Sequence, residues 1–346
     1  MRVKILIVWI LLAAFMSSCG SSSEKDKYKL PDDYAYMAVF TSFRSSHSEF
    51  RFYSDDWKLI RTLKLSAGGV TPGKTYKGNY YFVSTGTPRH SGNQIIELNS
   101  QLNKLVTVPT SDYPMDVAIQ RGYAFVIHNT DISYGELNKI DLASGKIVKQ
   151  IKVPGVLRTI TSNQDRIYVL SDHIQERMQH ISVYDSELHA IHDYKNRLTT
   201  FSTDTFFLDP TTLMLANNAM DDFNGPAKVL ATLHLESGKI QTIPWKGASP
   251  YQVLSYGESL LVPQYSLGQS TDNSITVINP DTGKVTHRFP LAAPPNRSLV
   301  HGNIFYSIWD NQVYQYDIEN NFKWIATHPL QPTGDLRLID FWVRPD

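Results

Sequence analysis

Short runs in which apolar and polar residues alternate recur along the chain, and tight polar turns separate them. The clearest copies span residues 137–147, 233–240 and 275–285, where the turn ends in Ser-Gly-Lys or Thr-Gly-Lys before Ile or Val. Alternation is the period of a half-buried β-strand, and glycine supplies the positive φ that a tight hairpin turn requires. Each copy therefore predicts a β-hairpin. Weaker copies span residues 50–63, 95–106, 181–191 and 313–325.

The hairpins recur at a period of about 40–45 residues, and a further apolar strand precedes each of them. A period of this length that carries four short strands is typical of a β-propeller blade. We therefore predict an all-β chain that forms a single β-propeller, with seven four-stranded blades. The first copy has room for only three strands, so we expect the C-terminal strand 336–343 to complete the first blade. Irregular copies at 197–230 and after residue 296 leave six or eight blades open.

The hairpin pattern is Asp, Asn or His, then two residues, then Ser or Thr, Gly, Lys, and Ile or Val. This pattern resembles the repeats of YVTN-type and quinoprotein-like β-propellers. The resemblance covers residues 34–346 and implies the fold, but it implies no single activity, because such propellers serve as enzymes, receptors and scaffolds. The six tryptophans do not recur at the blade period, unlike those of quinoprotein dehydrogenases. A bound quinone is therefore disfavoured, and we predict no cofactor.

The first 20 residues have the layout of an export signal. Arg2 and Lys4 precede an apolar run at residues 5–15, which is too short to span a bilayer. Small residues then lead to Cys19, the only cysteine of the chain. The segment Met-Ser-Ser-Cys-Gly resembles the lipobox of bacterial lipoproteins. This resemblance implies cleavage before Cys19 and attachment of a diacylglycerol to its sulfur.

The chain thus divides into a signal peptide at 1–18, a polar tether at 19–33 that starts with the lipidated Cys19, and the propeller at 34–346. We expect the protein to be anchored by its lipid to a bacterial cell membrane, on the extracytoplasmic face. The sequence does not distinguish an inner from an outer membrane.

Composition narrows the classes of partner. The chain has 33 Lys and Arg and 33 Asp and Glu, so a general nucleic-acid binder is not expected. Residues 68–75 (GGVTPGKT) satisfy the spacing of a phosphate-binding loop, but a strand pattern follows where that loop needs a helix. We therefore predict an inter-blade loop and no nucleotide.

No metal site is predicted either. His189 and His192 stand three residues apart, and such residues point to opposite faces of a strand. The acidic segment 221–225 lacks the glutamate that closes a calcium loop.

One face of a propeller combines the loop that follows each second strand with the loop that enters each blade. Polar residues end most second strands, so we predict a ligand-binding rim there. Its candidate residues are Thr41, Thr85, His128, Ser171, Asp172, His173, Asn217, Gln264, Trp309 and Asp310. The loops that enter the blades contribute Lys74, Asp116, Arg158, Tyr251 and Arg297. A rim of this composition suits recognition of an envelope protein or a glycan.

Two functions follow from these observations. The first is non-catalytic: a propeller face that binds a protein partner or ligand, in a binding or scaffold role. The alternative is a lactonase-type hydrolase that acts in the central channel, and it needs acids or a metal at the channel mouth. The candidate residues for such an enzyme are Asp116, Asp172, Asp222, Asp310, His128 and His173.

Overall fold

A computed structural model describes residues 28–100, 103–197, 202–217, 229–265 and 273–344. These ranges contain 28 β-strands in seven four-stranded antiparallel sheets, and no helix. The protein is a seven-bladed β-propeller, as the repeat period predicts. No helix long and apolar enough to cross a bilayer occurs among these residues. The predicted signal peptide and Cys19 lie outside them.

The strands of each blade are given from the central channel outward. Blade 1 contains β28 (Arg337–Val343), β1 (Tyr36–Thr41), β2 (Ser48–Tyr53) and β3 (Leu59–Leu65), and blade 2 contains β4 (Lys74–Tyr76), β5 (Asn79–Thr87), β6 (His90–Asn99) and β7 (Lys104–Pro109). Blade 3 contains β8 (Pro114–Gln120), β9 (Tyr123–Asn129), β10 (Tyr134–Asp141) and β11 (Lys146–Pro154), and blade 4 contains β12 (Val156–Asn163), β13 (Arg166–His173), β14 (Met178–Asp185) and β15 (Ala190–Asn196).

Blade 5 contains β16 (Ser202–Asp209), β17 (Thr212–Asn217), β18 (Val229–His234) and β19 (Lys239–Ile243). Blade 6 contains β20 (Leu254–Tyr256), β21 (Ser259–Gln264), β22 (Ser274–Asn279) and β23 (Lys284–Pro290). Blade 7 contains β24 (Arg297–His301), β25 (Ile304–Trp309), β26 (Gln312–Asp317) and β27 (Lys323–Pro329).

The core lies between neighbouring blades rather than at the centre of the ring. Each pair of adjacent blades encloses one cluster of buried apolar side chains. Between blades 1 and 2, for example, the rings of Phe50 and Phe82 meet edge to face at 5.2 Å. Burial of one such side chain contributes about 1.5–3 kcal/mol. The second strand of a blade is therefore buried on both faces, whereas an outer strand such as β11 is mostly exposed.

The C-terminal strand closes the ring. β28 pairs antiparallel with β1, with Val343 opposite Tyr36 and Arg337 opposite Thr41, and this confirms the predicted completion of the first blade. The exchange removes two exposed strand edges. The turn glycines of the clearest hairpins, Gly145 and Gly283, have φ of 68° and 62°, as their position in tight turns requires.

Part of the predicted tether belongs to the folded body. Lys29 bridges to Lys104 of β7, and the backbone N–H of Leu30 donates to the carbonyl of Asn103 at 2.9 Å. The Leu30 side chain is buried in the cluster between blades 1 and 2. The segment at 28–30 therefore packs against the outer strand of blade 2.

Candidate functional site

The innermost strands of all seven blades, with the segments that enter them, line a central cavity of about 690 Å³. Most of its lining residues belong to the first half of an innermost strand or to the segment that enters it, so the cavity lies toward the face where the chain enters each blade. Hydroxyl, amide and aromatic groups alternate with charged groups around it. The uncharged polar and aromatic members include Thr75, Thr159, Thr161, Thr205, Phe206, Phe207, Tyr251, Gln252, Asn296 and Trp342.

Two ion pairs on this wall share one arrangement. Lys74 Nζ lies 2.7 Å from Asp116 Oδ2, which also accepts a hydrogen bond from Thr159 Oγ1 at 2.6 Å. The Lys74 side chain is 36% exposed and that of Asp116 only 14%. Arg158 Nε lies 2.5 Å from Asp172 Oδ2, with 28% exposure for the arginine and 4% for the acid. In both pairs the cation is the more exposed partner.

Arg297 and Asp340 form the third pair, at 3.0 Å between Nε and Oδ1. The buried Asp340 carboxylate also accepts the backbone N–H of Gly73 at 2.6 Å and the indole N–H of Trp342 at 3.0 Å. Burial alone would lower the pKa of the Arg297 guanidinium. The charge and the hydrogen bond of the Asp340 carboxylate have a larger, opposite effect, so the pKa is raised. The cation is again the more exposed partner. All three pairs therefore present positive charge to the cavity.

Asp204 on β16 is a further carboxyl group on this wall. Its Oδ2 accepts the backbone N–H of Val253 at 2.9 Å, and no ammonium or guanidinium group of the described residues lies within ion-pair distance of it. Burial raises the pKa of the Asp204 carboxyl, although the Val253 hydrogen bond and the charges of Arg297 and Lys74 lower it. The cavity thus has a carboxyl group that favours its neutral form more than an exposed aspartate does.

The predicted rim residues differ in their exposure to solvent. Thr85, His173 and Trp309 are half-buried, and Asp310 is exposed. The others end second strands that neighbouring strands and blades cover, and they are buried: Thr41, His128, Ser171, Asp172, Asn217 and Gln264.

Several of these buried groups are engaged within the protein. His128 Nδ1 lies 3.0 Å from the carbonyl of Asp112, and its Nε2 lies 3.2 Å from Thr110 Oγ1. Burial lowers the pKa of His128. Gln264 Oε1 accepts a hydrogen bond from Arg288 Nη2 at 2.9 Å. Such groups stabilise the blade ends and do not face the cavity.

Trp309 belongs to a row of aromatic rings that leads from the cavity toward the rim. Tyr251, which lines the cavity, meets Tyr265 edge to face at 5.2 Å. Tyr265 in turn meets Trp309 at 5.7 Å. Asp310 follows in a two-residue turn with Asn311, where φ values of 46° and 60° identify the hairpin geometry that Asp and Asn tolerate.

The structure does not bring together the three candidate acids of a hydrolase that it describes. Asp116 lines the cavity with Lys74, Asp172 pairs with Arg158, and Asp310 is exposed in its turn on blade 7. Asp222 and the acidic segment 221–225 lie outside the described residues. Asp204 and Asp340 were missed, because β16 falls in the most irregular repeat and β28 was recognised only as the closing strand.

Residues 68–75, with the spacing of a phosphate loop, connect blade 1 to blade 2 and lead into strand β4. The segment is glycine-rich because backbones cross there. A Cβ on Gly69 would lie 1.9 Å from the carbonyl oxygen of Gly86. Lys74 of this segment is the channel lysine paired with Asp116.

The fold resembles that of several solved structures. The computationally designed protein Ika8 has a TM-score of 0.56 at 9% identity, over 88% of this chain and 90% of that chain. For hydrazine synthase of Kuenenia stuttgartiensis the TM-score is 0.55 at 14% identity, over 73% and 84%. For the dihydro-heme d1 dehydrogenase NirN in complex with DHE it is 0.53 at 12% identity, over 93% and 78%.

Identities this low show the fold alone. The sequence matches no protein-family model and no curated protein. The resemblances to bacterial lipoproteins and to YVTN-type repeats therefore stay predictions.

Proposed function

We propose that this chain is a membrane-anchored extracytoplasmic binding protein whose central cavity captures an anionic ligand. The lipobox-like segment that ends at Cys19 supports the anchor. The propeller supports a binding role, because its closed ring presents one cavity that all blades share. The seat of binding is then the cavity wall of innermost strands rather than the buried ends of the second strands.

One observation carries this proposal: in each of three ion pairs around the cavity, the cation is more exposed than the acid. Lys74, Arg158 and Arg297 are more exposed than their partners in every case. The acids fix the positions of the cations before a ligand arrives, which reduces the entropy lost on binding. A wall of low dielectric constant also strengthens the attraction between these cations and a bound anion.

The chemistry of the wall favours a carboxylate-bearing, hydroxyl-rich ligand, such as an acidic oligosaccharide. Arginine forks suit carboxylates, and the threonine and amide groups suit hydroxyls. The row of Tyr251, Tyr265 and Trp309 offers aromatic surface with polar edges beside the opening. A volume of about 690 Å³ is in the ordinary range of small-ligand sites.

Calorimetric titration with tri-galacturonic acid tests the proposal, with neutral tri-galactose as the matched ligand. We expect binding of the acidic trimer only, and weaker binding as salt rises. The double variant Arg158→Gln with Asp172→Asn removes a cation without leaving a buried acid unpaired, and it should weaken binding by at least about tenfold.

The control double variant, Arg121→Gln with Asp165→Asn, removes an exposed pair that does not line the cavity. It should bind as the wild type does. Equal affinity for both trimers, or equal losses in both double variants, would contradict the proposal. Binding of a tri-glutamate peptide instead of the saccharide would reassign the ligand to an acidic peptide.

Asp204 supports one second candidate, the lactonase-type hydrolase. A carboxyl group of raised pKa in a channel is a candidate general base or acid. Hydrolysis of a panel of lactones by the wild type should then be lost in Asp204→Asn and retained in Asp209→Asn, which changes an exposed acid at the end of the same strand. Hydrolysis that Asp204→Asn does not reduce would exclude this role.

A further inference from the structure

We propose that His173, Glu176 and His180 form a zinc-binding site at one end of blade 4. His173 ends β13, Glu176 lies in the turn, and His180 lies near the start of β14. Because Met178 pairs with His173 and His180 lies two residues further along, the two histidines are diagonal neighbours on one face of the sheet. The hairpin thus brings together two imidazoles and a carboxylate.

The three side chains are close enough to share an ion. They offer one ligand atom each, and these atoms lie within 4.8 Å of one another. Glu176 is 3.9 Å from His173 through Oε1 and Nδ1, and 3.9 Å from His180 through Oε2 and Nε2. Ligands of a tetrahedral zinc ion stand about 3.3 Å apart, since each bond is about 2.0–2.2 Å long. The cluster therefore needs to contract by about 1 Å.

A second, independent observation points to a ligand. The His180 side chain is 93% buried, since only 7% of it is exposed, yet its Nε2 has no hydrogen-bond partner. Its other nitrogen, Nδ1, lies 3.0 Å from Asp193 Oδ2 on the next strand. This contact assigns the proton to Nδ1 and leaves the Nε2 lone pair directed at the cluster. A carboxylate behind a ligating histidine is the usual support of a metal site.

His173 completes the set by a ring rotation. Its ring lies parallel to that of His180, with centroids 3.5 Å apart. A metal ion binds in the plane of an imidazole, so one ring must turn for both to ligate the same ion. His173 is the freer of the two, because Asp193 holds His180.

The donor set selects the metal. Two imidazole nitrogens and one carboxylate oxygen form a three-ligand zinc site, in which water or another molecule takes the fourth position. A cavity of about 310 Å³ adjoins the site and is lined by both histidines and Asp193. This cavity shares no lining residue with the central one. The proposed site therefore lies outside the central cavity.

Titration of the untagged full chain in detergent with Zn²⁺, against a chromophoric chelator, tests the site. We expect one equivalent to bind, with affinity at least tenfold lower in Glu176→Gln and at least a hundredfold lower in His173→Ala. Asp193→Asn, which changes a positioning residue, should weaken binding between tenfold and a hundredfold. Co²⁺ in place of Zn²⁺ should give the intense visible absorption of a tetrahedral site in the wild type and not in His173→Ala.

His189→Ala is the matched control, because it removes an exposed imidazole from the same blade. It should bind zinc as the wild type does. Glu176 is exposed, so Glu176→Gln keeps the test separate from folding, and thermal unfolding checks every variant. Cys19 is present in all of them, so zinc held by an unlipidated Cys19 thiol would persist in His173→Ala. The proposal is overturned if no equivalent binds, if Glu176→Gln and His173→Ala bind normally, or if His189→Ala loses as much affinity.

Discussion

Arg297, at the start of the innermost strand of blade 7, donates a hydrogen bond from Nε to Asp340 of the closing strand, at 3.0 Å. The contact joins blade 7 to the strand that completes blade 1. Asp340 also accepts the backbone N–H of Gly73, so one buried carboxylate links the closing strand to blade 2 as well. The cavity wall and the closure of the ring therefore depend on the same residue.

Replacement of Asp340 by Asn should destabilise the fold by about 3 kcal/mol. The amide keeps the shape of the carboxylate but loses its charge, and its NH₂ group would face N–H donors of Arg297, Gly73 or Trp342. Urea unfolding followed by tryptophan fluorescence measures the loss. The exposed Asp56, which pairs with Lys58, provides the control, and Asp56→Asn should change little. Equal stability of Asp340→Asn and the wild type would show that closure does not depend on this carboxylate.

The stability of the protein should fall as the pH falls through the range just below 6.5, partly because of His128. Burial lowers the pKa of His128 in the folded state, so the unfolded chain binds its proton at a higher pH than the folded chain does. The stabilisation is complete above the unfolded value near 6.5 and is lost as the pH falls through the lower folded value. Burial also lowers the pKa values of His173 and His328, so these residues contribute in the same direction.

Urea unfolding between pH 7.5 and pH 5 should therefore show a smaller fall in His128→Gln than in the wild type. Glutamine retains a donor and an acceptor toward Asp112 and Thr110. His189→Gln changes an exposed histidine and should leave the pH dependence as it is. If the free energy of unfolding of His128→Gln fell with pH as much as that of the wild type, the pH dependence could not be assigned to His128.

The fold was predictable from the sequence because its signals are local. Alternation predicts each strand, a glycine with positive φ marks the clearest hairpin turns, and the period predicts the blade. The closing strand was predictable for a different reason: an unpaired strand at each end of the chain leaves two edges that pairing removes. The boundary between tether and propeller, predicted near residue 33, was harder to place. Leu30 is a single apolar residue in a polar segment, and its contacts with blade 2 are distant in sequence.

The candidate site was harder to predict, because the sequence does not show whether a polar residue at a strand end is exposed to water or buried by protein. Thr41 is an example: its hydroxyl lies 2.8 Å from Ser48 Oγ and accepts the backbone N–H of Val70. The residues that enter the blades, such as Lys74 and Arg297, do face the cavity. The cluster of His173 with His180 needed the hairpin register, since diagonal neighbours become visible only when the turn length is known.

The lipid anchor predicted at Cys19 can be tested by Cys19→Ser. Nearly all of the wild-type protein should sediment with membranes, and most of the variant should not, because acyl chains contribute about 0.8 kcal/mol per buried methylene. Mass spectrometry of the N-terminal peptide should find the added lipid on the wild type. Ser21→Ala leaves the cysteine intact and should stay in the membrane fraction. Retention of Cys19→Ser in membranes would require another anchor.

Gly69→Ala should destabilise the protein by about 3 kcal/mol or more, because the added Cβ would meet backbone rather than a side chain. It would lie 1.9 Å from the carbonyl oxygen of Gly86, and Gly69 has φ of 59°. Gly78→Ala separates the two causes. Gly78 has φ of 78°, yet its Cβ would meet only Ser100 Oγ, at 3.7 Å.

Gly78→Ala should therefore cost about 1 kcal/mol, the conformational part alone. Urea unfolding of the two variants measures the difference. A large difference would mean that the glycines of segment 68–75 serve the crossing of two backbones between blades 1 and 2. Equal losses would contradict this, and binding of ATP by the wild type that Gly69→Ala abolishes would favour a phosphate-binding role for the segment instead.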